Sequence, residues 1–173
     1  GKALTSHNLV EKIAFTGGPE TARHIIRNSA KNLSEVSLEL GGKSPVAVFN
    51  DANQENAING ITAGIFGASG QSCIAGSRLY LQEEIYDELV TMIRGNISTQ
   101  TVGDPNNFDI DIGPIINSKA LENLNNYITK CKQKGMEVFQ FEGKESNTHI
   151  NPTNYSWIAV SYTHLTLPTN QCV

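Results

Sequence analysis

At 173 residues, with 39% hydrophobic and 17% charged residues, the chain is long enough for one domain with a sizeable core and has the composition of a globular protein. A net charge of −4 without any basic run argues against binding to nucleic acid, and no apolar stretch approaches the ~20 residues of a membrane helix. Three widely spaced cysteines favour free thiols in a reducing compartment, which predicts a cytoplasmic location.

The first predicted elements form a strand–helix–strand unit. Residues 12–16 are an apolar, β-favouring run that Gly17 ends, and Pro19 then suits the first position of a helix. Helical spacing predicts a helix over residues 19–31, and a second strand is predicted over residues 36–40. The apolar stripe of this helix comprises Ala22, Ile25, Ile26 and Ser29. This order of elements predicts a parallel sheet.

The alternation continues through the middle of the chain. The apolar run over residues 45–49 predicts a strand buried on both faces, and Asp51 or Asn53 can cap the helix that follows. The stripe of that helix comprises Ala57, Ile58, Ile61 and Ile65. Another strand is predicted over residues 78–82 and an amphipathic helix over residues 83–97. The stripe of this second helix comprises Ile85, Leu89, Met92 and Ile93.

The last elements follow a polar loop over residues 103–114. Ser118 can cap a helix that ends near Gly135, and Cys131 lies on its apolar stripe and is interpreted as a core residue. A final strand is predicted over residues 136–141. Helices and strands alternate throughout, so the predicted fold class is α/β.

The C-terminal tail differs in composition. No charged residue occurs between Ser146 and Val173, although the preceding part carries all 13 basic and all 17 acidic residues. This abrupt change predicts that the tail does not belong to the same design and that from about residue 161 it is non-native material. Cys172 lies in this tail and receives no role.

Cys73 is the strongest candidate nucleophile, within the sequence GQSCIAGSR of residues 70–78. A cysteine is more often a small buried hydrophobe than a nucleophile. Here, however, small neighbouring residues leave room for a substrate. The glycine-rich approach also allows backbone amides to point at one spot, as an anionic intermediate requires.

Glu39 is a candidate base, within the sequence LELGGKSP of residues 38–45. Because burying an unpaired carboxylate is costly, this glutamate must lie at a strand end or face a cavity. An exposed strand-end glutamate is the simpler interpretation. The adjacent Gly41 and Gly42, however, permit close backbone approach, and a carboxylate there can accept a proton from water.

Thr16, Gly17 and Gly18 lie between a strand and a helix N-terminus, which is a natural anion site suited to a dinucleotide pyrophosphate, although no GxGxxG pattern occurs. No metal site is predicted. The four histidines lack metal-ligand spacing, and the acidic loop lacks the ligand order of a calcium site and is interpreted as exposed. Its carboxylates are Asp104, Asp109 and Asp111.

Cys73 follows Glu39 by 34 positions, and the two motifs in this order resemble those of the aldehyde dehydrogenase superfamily. Similar segments also occur at residues 13–17, 102–105 and 112–114, and the resemblance covers about Ala3 to Gly143. It implies that Cys73 is the nucleophile and Glu39 the general base in the oxidation of an aldehyde to a carboxylic acid, through a thiohemiacetal and a thioester. The implied cofactor is NAD or NADP, with contacts to Thr16, Gly17, Gly18, Leu40 and Gly41.

The resemblance also implies the organisation of the chain. Residues 1–42 correspond to the end of a Rossmann-like cofactor domain and residues 43–145 to part of the catalytic domain, together about a third of a usual family member. The rest of the site lies outside this length, so the isolated chain is predicted to be inactive or nearly so. The implied partner is a small-molecule aldehyde, with no nucleic acid or membrane, and the parent is expected to be a homodimer or homotetramer.

Two other functions are compatible with the same residues. A cofactor-independent thiol hydrolase would use Cys73 and Glu39 without nicotinamide, although no histidine is placed to activate the thiol. A non-catalytic relative would serve as a structural or binding protein.

Overall fold

The structure, a computed structural model, describes residues 1–141, 144–145 and 157–160. The helices are α1 (Lys2–Thr5), α2 (Pro19–Ser29), α3 (Gln54–Phe66), α4 (Tyr86–Ile97) and α5 (Ser118–Gln133). The strands are β1 (Lys12–Gly17), β2 (Glu35–Leu40), β3 (Pro45–Val48), β4 (Arg78–Leu81), β5 (Thr101–Val102), β6 (Val138–Phe141), β7 (Lys144–Glu145) and β8 (Trp157–Val160). Short turns of tighter helix occupy Gly67–Gly70 and Glu83–Ile85. The alternation confirms the α/β class.

The first unit is the predicted parallel strand–helix–strand unit. β1 and β2 pair in parallel, and α2 connects them and packs on both. Ile13 of β1 is buried together with Ala22 and Ile25 of α2. The placement of Ile26 on the buried stripe is wrong, because this side chain is 50% exposed. The packing of one sheet face against a helix covers only a narrow stripe of that helix.

The second unit repeats this arrangement and contains the main core. β3 and β4 pair in parallel, α3 lies between them along the chain, and α4 packs beside α3. The buried residues of this core are Val48, Ile58, Ile61, Leu81, Ile85, Leu89, Ile93 and Ile97. Leu89 is completely buried. The predicted core position of Met92 is wrong, since 40% of this residue is exposed on the outer side of α4.

The prediction that residues 45–49 are buried on both faces is wrong. Val48 is buried and Val46 half-buried, whereas Pro45 and Ala47 are exposed. Phe49, just beyond β3, is 65% exposed. The physical reason is that α3 and α4 cover one face of this two-stranded sheet, and within the described residues the other face stays open.

The helix ends follow their capping residues. Asn53 caps α3, because its side-chain oxygen accepts a hydrogen bond from the Asn56 N–H at 2.9 Å. The prediction that Ser118 caps the last helix is wrong. Asn117 is extended, and its side-chain oxygen accepts from the Ala120 N–H at 2.8 Å, so Ser118 is the first residue inside α5. Gly135 ends this helix with a φ of 73°, a conformation that favours glycine.

The last part of the described chain contains short pairings. β5 pairs in parallel with β7, and β6 pairs antiparallel with β8. No element was predicted in the uncharged tail, so β8 is a strand that the sequence did not indicate. Cys131 of α5 is buried, which confirms its interpretation as a core residue. None of the helices in the described ranges has both the length and the apolar character that crossing a bilayer requires.

Candidate active site

The carboxyl ends of β1 and β2 bring the predicted cofactor residues together with the predicted base. The strand register pairs Thr16 with Glu39 and Gly17 with Leu40, and Gly41 continues directly from β2. Ligands of open parallel α/β sheets bind outside the carboxyl ends of the strands. Glu39 therefore lies at the sheet end where the sequence predicts an anion site.

The N-terminus of α2 lies beside this sheet end. Gly18 occupies the position before the helix, and the first backbone N–H groups of a helix have no partner within it. A Cβ added at Gly18 or at Gly41 would meet no atom within 4 Å, so there is open space at both glycines. Free amides at the positive end of the helix dipole suit a phosphate group, so these residues fit a dinucleotide pyrophosphate.

Cys73 lies on an exposed loop between α3 and β4. The chain leaves α3 after Phe66 through a left-handed turn and then closes a small turn in which the Ala75 N–H donates to the Ser72 carbonyl at 3.2 Å. Within the described residues, the backbone N–H of Cys73 donates to no acceptor. This amide is therefore free to donate to an oxyanion that forms on a carbon atom bonded to the Cys73 sulfur.

The segment after Glu39 runs along the segment that contains Cys73. A Cβ added at Gly42 would lie 3.4 Å from the Cys73 carbonyl oxygen. The Arg78 guanidinium Nε donates to the Lys43 carbonyl at 2.7 Å, and the Arg78 N–H donates to the Ser44 carbonyl at 3.2 Å. Residues 42–44 therefore lie against the segment of residues 73–78.

Both candidate chemical groups are accessible. Glu39 and Cys73 are exposed, and among the described residues neither side chain has a hydrogen-bond or ion-pair partner. Exposure of Glu39 agrees with the strand-end interpretation. Three residues span at most about 11 Å, so the Glu39 backbone lies within that distance of Gly42. Gly42 in turn approaches the Cys73 carbonyl oxygen. Two groups capable of reaction are therefore exposed, one on each of the two contacting segments.

The acidic loop has a structural role. Asp111 accepts from the Thr101 N–H at 2.8 Å, and Asp104 accepts from the Asn106 N–H at 2.9 Å. Asp109 and Asp111 are exposed and Asp104 is half-buried, so the predicted exposure is confirmed for two of the three. Over the described ranges, no group of three or more histidine, cysteine, aspartate or glutamate side chains could hold a metal ion.

The residue that joins the two motifs was not predicted from the sequence. Arg78 ends the cysteine motif and begins β4, and two of its hydrogen bonds reach the backbone that precedes β3. The available signal was the predicted parallel pairing of these strands, because it brings Arg78 opposite Pro45. The parallel pairing of the strands was predictable, but the direction of the guanidinium was not.

The fold and the candidate site define an α/β protein with an accessible cysteine, an accessible glutamate and a glycine-containing turn between a strand and a helix. The sequence model of the Aldehyde dehydrogenase family matches residues 1–158, and the chain belongs to this family of oxidoreductases. The match extends past Gly143, where the resemblance in the sequence analysis ends, and includes the first part of the uncharged tail. The expectation that the sequence is non-native from about residue 161 stays a prediction.

Individual relatives support the assignment. The chain is 44% identical over 138 residues to (Z)-2-((N-methylformamido)methylene)-5-hydroxybutyrolactone dehydrogenase of Acinetobacter baylyi, covering 80% of this chain and 28% of that protein. It is 38% identical to the NADP(+) succinate-semialdehyde dehydrogenase GabD of Escherichia coli, covering 80% and 29%. The chain therefore spans less than a third of the length of these two relatives.

A solved structure has the same fold. The structure of betaine aldehyde dehydrogenase from Staphylococcus aureus in complex with NAD+ matches with a TM-score of 0.77 and 32% identity. The match covers 81% of this chain and 28% of that chain. The α/β arrangement described above is accordingly part of the aldehyde dehydrogenase fold.

Proposed function

We propose that this chain is a segment of an NAD- or NADP-dependent enzyme that oxidises a small-molecule aldehyde to a carboxylic acid. The observation that carries the proposal is the close approach of Gly42, three residues after Glu39, to the Cys73 backbone. Relatives that use NADP(+) or bind NAD+ support the choice of cofactors. We further assign residues 1–42 to the cofactor domain and residues 43–145 to the catalytic domain, because two separate parallel strand pairs lie on either side of this boundary.

The cofactor would be held at the carboxyl end of the first sheet. Its pyrophosphate fits the amides at Gly17 and Gly18, beside Thr16, and Leu40, which pairs with Gly17, and the open space at Gly41 lie next to them. When bound, the nicotinamide supplies the acceptor for the hydride that the aldehyde carbon loses. The chain's own contribution is to position this carbon through Cys73.

Cys73 and Glu39 perform the covalent steps. The Cys73 thiolate attacks the aldehyde carbon, a C–S bond forms, and the carbonyl electron pair moves to the oxygen, where the Cys73 N–H can donate to it. Loss of hydride from that carbon restores the C=O bond and leaves a thioester on Cys73. Glu39 then takes a proton from water, the hydroxide adds to the thioester carbon, and the C–S bond breaks to release acid and thiolate.

The test is a pair of variants in the full-length enzyme that contains this chain. Cys73→Ala is expected to abolish both the first burst of NADH and steady-state turnover. Glu39→Gln is expected to keep the burst and to slow steady-state turnover by roughly 10²–10⁴-fold, because only deacylation needs the base. Cys131→Ala is the matched control, since this buried thiol lies in α5 and is expected to leave the burst intact. Full turnover in both site variants would refute the assigned roles.

The same preparation separates the other two functions. Turnover of an ester with nicotinamide withheld, at the rate seen with cofactor present, would identify a thiol hydrolase. A thiol probe that fails to label the exposed Cys73 in the full-length protein would identify a non-catalytic relative. The isolated 173-residue chain is expected to show little or no aldehyde oxidation, and turnover near that of the full-length enzyme would contradict this.

The proposal also covers the location and assembly of the enzyme. Cys73 and Cys131 are free thiols, which favours a reducing compartment such as the cytoplasm. Large apolar side chains such as Leu33 and Phe49 are exposed, which favours burial against further polypeptide in a homodimer or homotetramer. Light scattering of the full-length enzyme tests the assembly, and a monomer would contradict it.

A further inference from the structure

The turn that leads into the cysteine loop has an unfavourable backbone conformation. Ala68 and Ser69 have φ values of 49° and 59°, and Gly70 follows with 68°. A left-handed conformation is unfavourable for a residue other than glycine, because its Cβ lies too close to the following carbonyl oxygen. Such residues persist where surrounding contacts determine their conformation, and they concentrate at functional sites. Contacts from outside the turn are therefore needed to hold the approach to Cys73.

Two side chains of this turn are bonded to a distant loop. The Ser69 hydroxyl donates to the Gly113 carbonyl at 2.9 Å. The Ile116 N–H donates to the Gln71 side-chain oxygen Oε1, also at 2.9 Å. These bonds join residues 44 and 45 positions apart and lie on either side of Gly70. Together they hold the residues on both sides of Gly70, immediately before Cys73.

The partner loop, residues 101–116, is itself well anchored. The Thr101 N–H and hydroxyl both donate to the Asp111 carboxylate at 2.8 Å, which closes the base of the loop. Val102 and Ile112 are buried and pack with Phe66, the last residue of α3. The loop is thus attached to the helix end from which the cysteine loop departs, and it can act as a rigid support.

We propose that Ser69 and Gln71 are positioning residues that hold the Cys73 loop against the backbone of residues 113–116. In this arrangement the 101–116 loop sets the direction of the thiol relative to the segment after Glu39. The catalytic meaning of the proposal rests on the proposed function, whereas the mechanical link between the loops does not. The two parts are tested by separate measurements.

The mechanical link is tested by amide hydrogen exchange in the full-length enzyme that contains this chain. Ile116 is exposed, so its bond to Gln71 is the protection available to its amide in the described structure. Gln71→Met keeps the side-chain size and removes the acceptor, and it is expected to speed exchange at Ile116 by roughly three- to tenfold. Gln71→Glu retains the acceptor and is expected to restore exchange to within about twofold of the original rate. Unchanged exchange in Gln71→Met would overturn the link.

Gln82→Met is a matched control. The Asn50 N–H donates to the Gln82 Oε1 at 2.9 Å, a bond of the same type that lies outside both loops. This variant is expected to lower overall stability by a similar amount and to leave exchange at Ile116 unchanged. Faster exchange at Ile116 in Gln82→Met, equal to that in Gln71→Met, would show a global effect and refute the proposal. If Gln71→Met does not fold, Ser69→Ala is measured instead, because it removes the other hydrogen bond between the two loops.

The positioning role is tested by kinetics in the full-length enzyme. Gln71→Met is expected to lower kcat by about tenfold or more with KM nearly unchanged, because small misplacements of a reacting group slow chemistry strongly. Gln71→Glu is expected to recover kcat. A rise in KM at constant kcat, or no recovery in Gln71→Glu, would refute positioning. If Cys73→Ala kept full turnover, the proposed function would fail instead, and the exchange result would be unaffected.

Discussion

Replacement of Gly76 by alanine tests how closely the Cys73 segment packs on β3. A Cβ at Gly76 would lie 2.6 Å from the Val46 Cγ2 atom, about 1 Å inside the ordinary carbon–carbon separation. Val46 packs against the main core and, as a β-branched residue, has a stiff χ1 angle, so it cannot simply turn away. The Gly76 N–H also donates to the Gly64 carbonyl at 3.1 Å, which keeps the loop backbone from retreating.

The expected magnitude follows from two opposing effects. Overpacking by an added methyl group costs about 1–3 kcal/mol. A change from glycine to alanine at a compatible backbone position contributes about 0.4–1 kcal/mol of stability by restricting the unfolded chain. Gly76→Ala is therefore expected to lower the free energy of unfolding by about 1–2 kcal/mol. This corresponds to a fall in Tm of about 2–4 °C per kcal/mol for a chain of this size.

The assay is urea unfolding, monitored by far-ultraviolet circular dichroism, of five proteins: the original chain, Gly76→Ala, Val46→Ala, the double variant and Gly95→Ala. Val46→Ala removes the clashing methyl group, so the penalty of Gly76→Ala is expected to shrink by about 1–2 kcal/mol in that background. Gly95→Ala is the control, because no atom lies within 4 Å of its added Cβ on α4, and it is expected to stabilise by about 1 kcal/mol. A penalty that persists in full beside Val46→Ala would refute the packing argument.

Two further predictions concern the core and the helix ends. Leu89→Ala is expected to lower the free energy of unfolding by about 3–5 kcal/mol because the side chain is completely buried, whereas Met92→Ala on the exposed side of α4 is expected to cost less than about 1 kcal/mol. A similar loss for both would contradict the assigned burial. Asn53→Ala and Asn117→Ala are each expected to cost about 1 kcal/mol through loss of an N-cap bond, with Ser118→Ala within about 0.5 kcal/mol of neutral. Circular dichroism during urea unfolding checks both, and a larger loss in Ser118→Ala than in Asn117→Ala would restore Ser118 as the cap.

The sequence by itself determined the local elements and the identity of the chemical groups. The strand–helix–strand unit around α2 and the exit of α5 at Gly135 follow from short-range rules, because turn conformation and helix capping depend on a few adjacent residues. The same rules allowed Asp51 or Asn53 as the cap of α3, and the structure selects Asn53. Cys131 is buried as predicted for the same kind of reason, since helical spacing places it on the apolar face.

Burial of individual stripe residues depended on tertiary structure. Ile26 and Met92 share the spacing of their buried neighbours, yet both are substantially exposed. The prediction for β3 is wrong for a related reason. A short apolar run shows that burial of its residues is favourable, but it does not show how many faces of the strand are covered. How many faces are covered depends on the elements that pack around it.

The candidate site shows the same division. Cys73 and Glu39 were recognisable as residue types within two glycine-rich motifs, whereas the approach of Gly42 to the Cys73 carbonyl and the bond from Gln71 to Ile116 were not. These contacts join positions tens of residues apart, and each depends on where one backbone N–H or carbonyl lies in space. Only the folded backbone decides which donor meets which acceptor, because every residue except proline carries both groups.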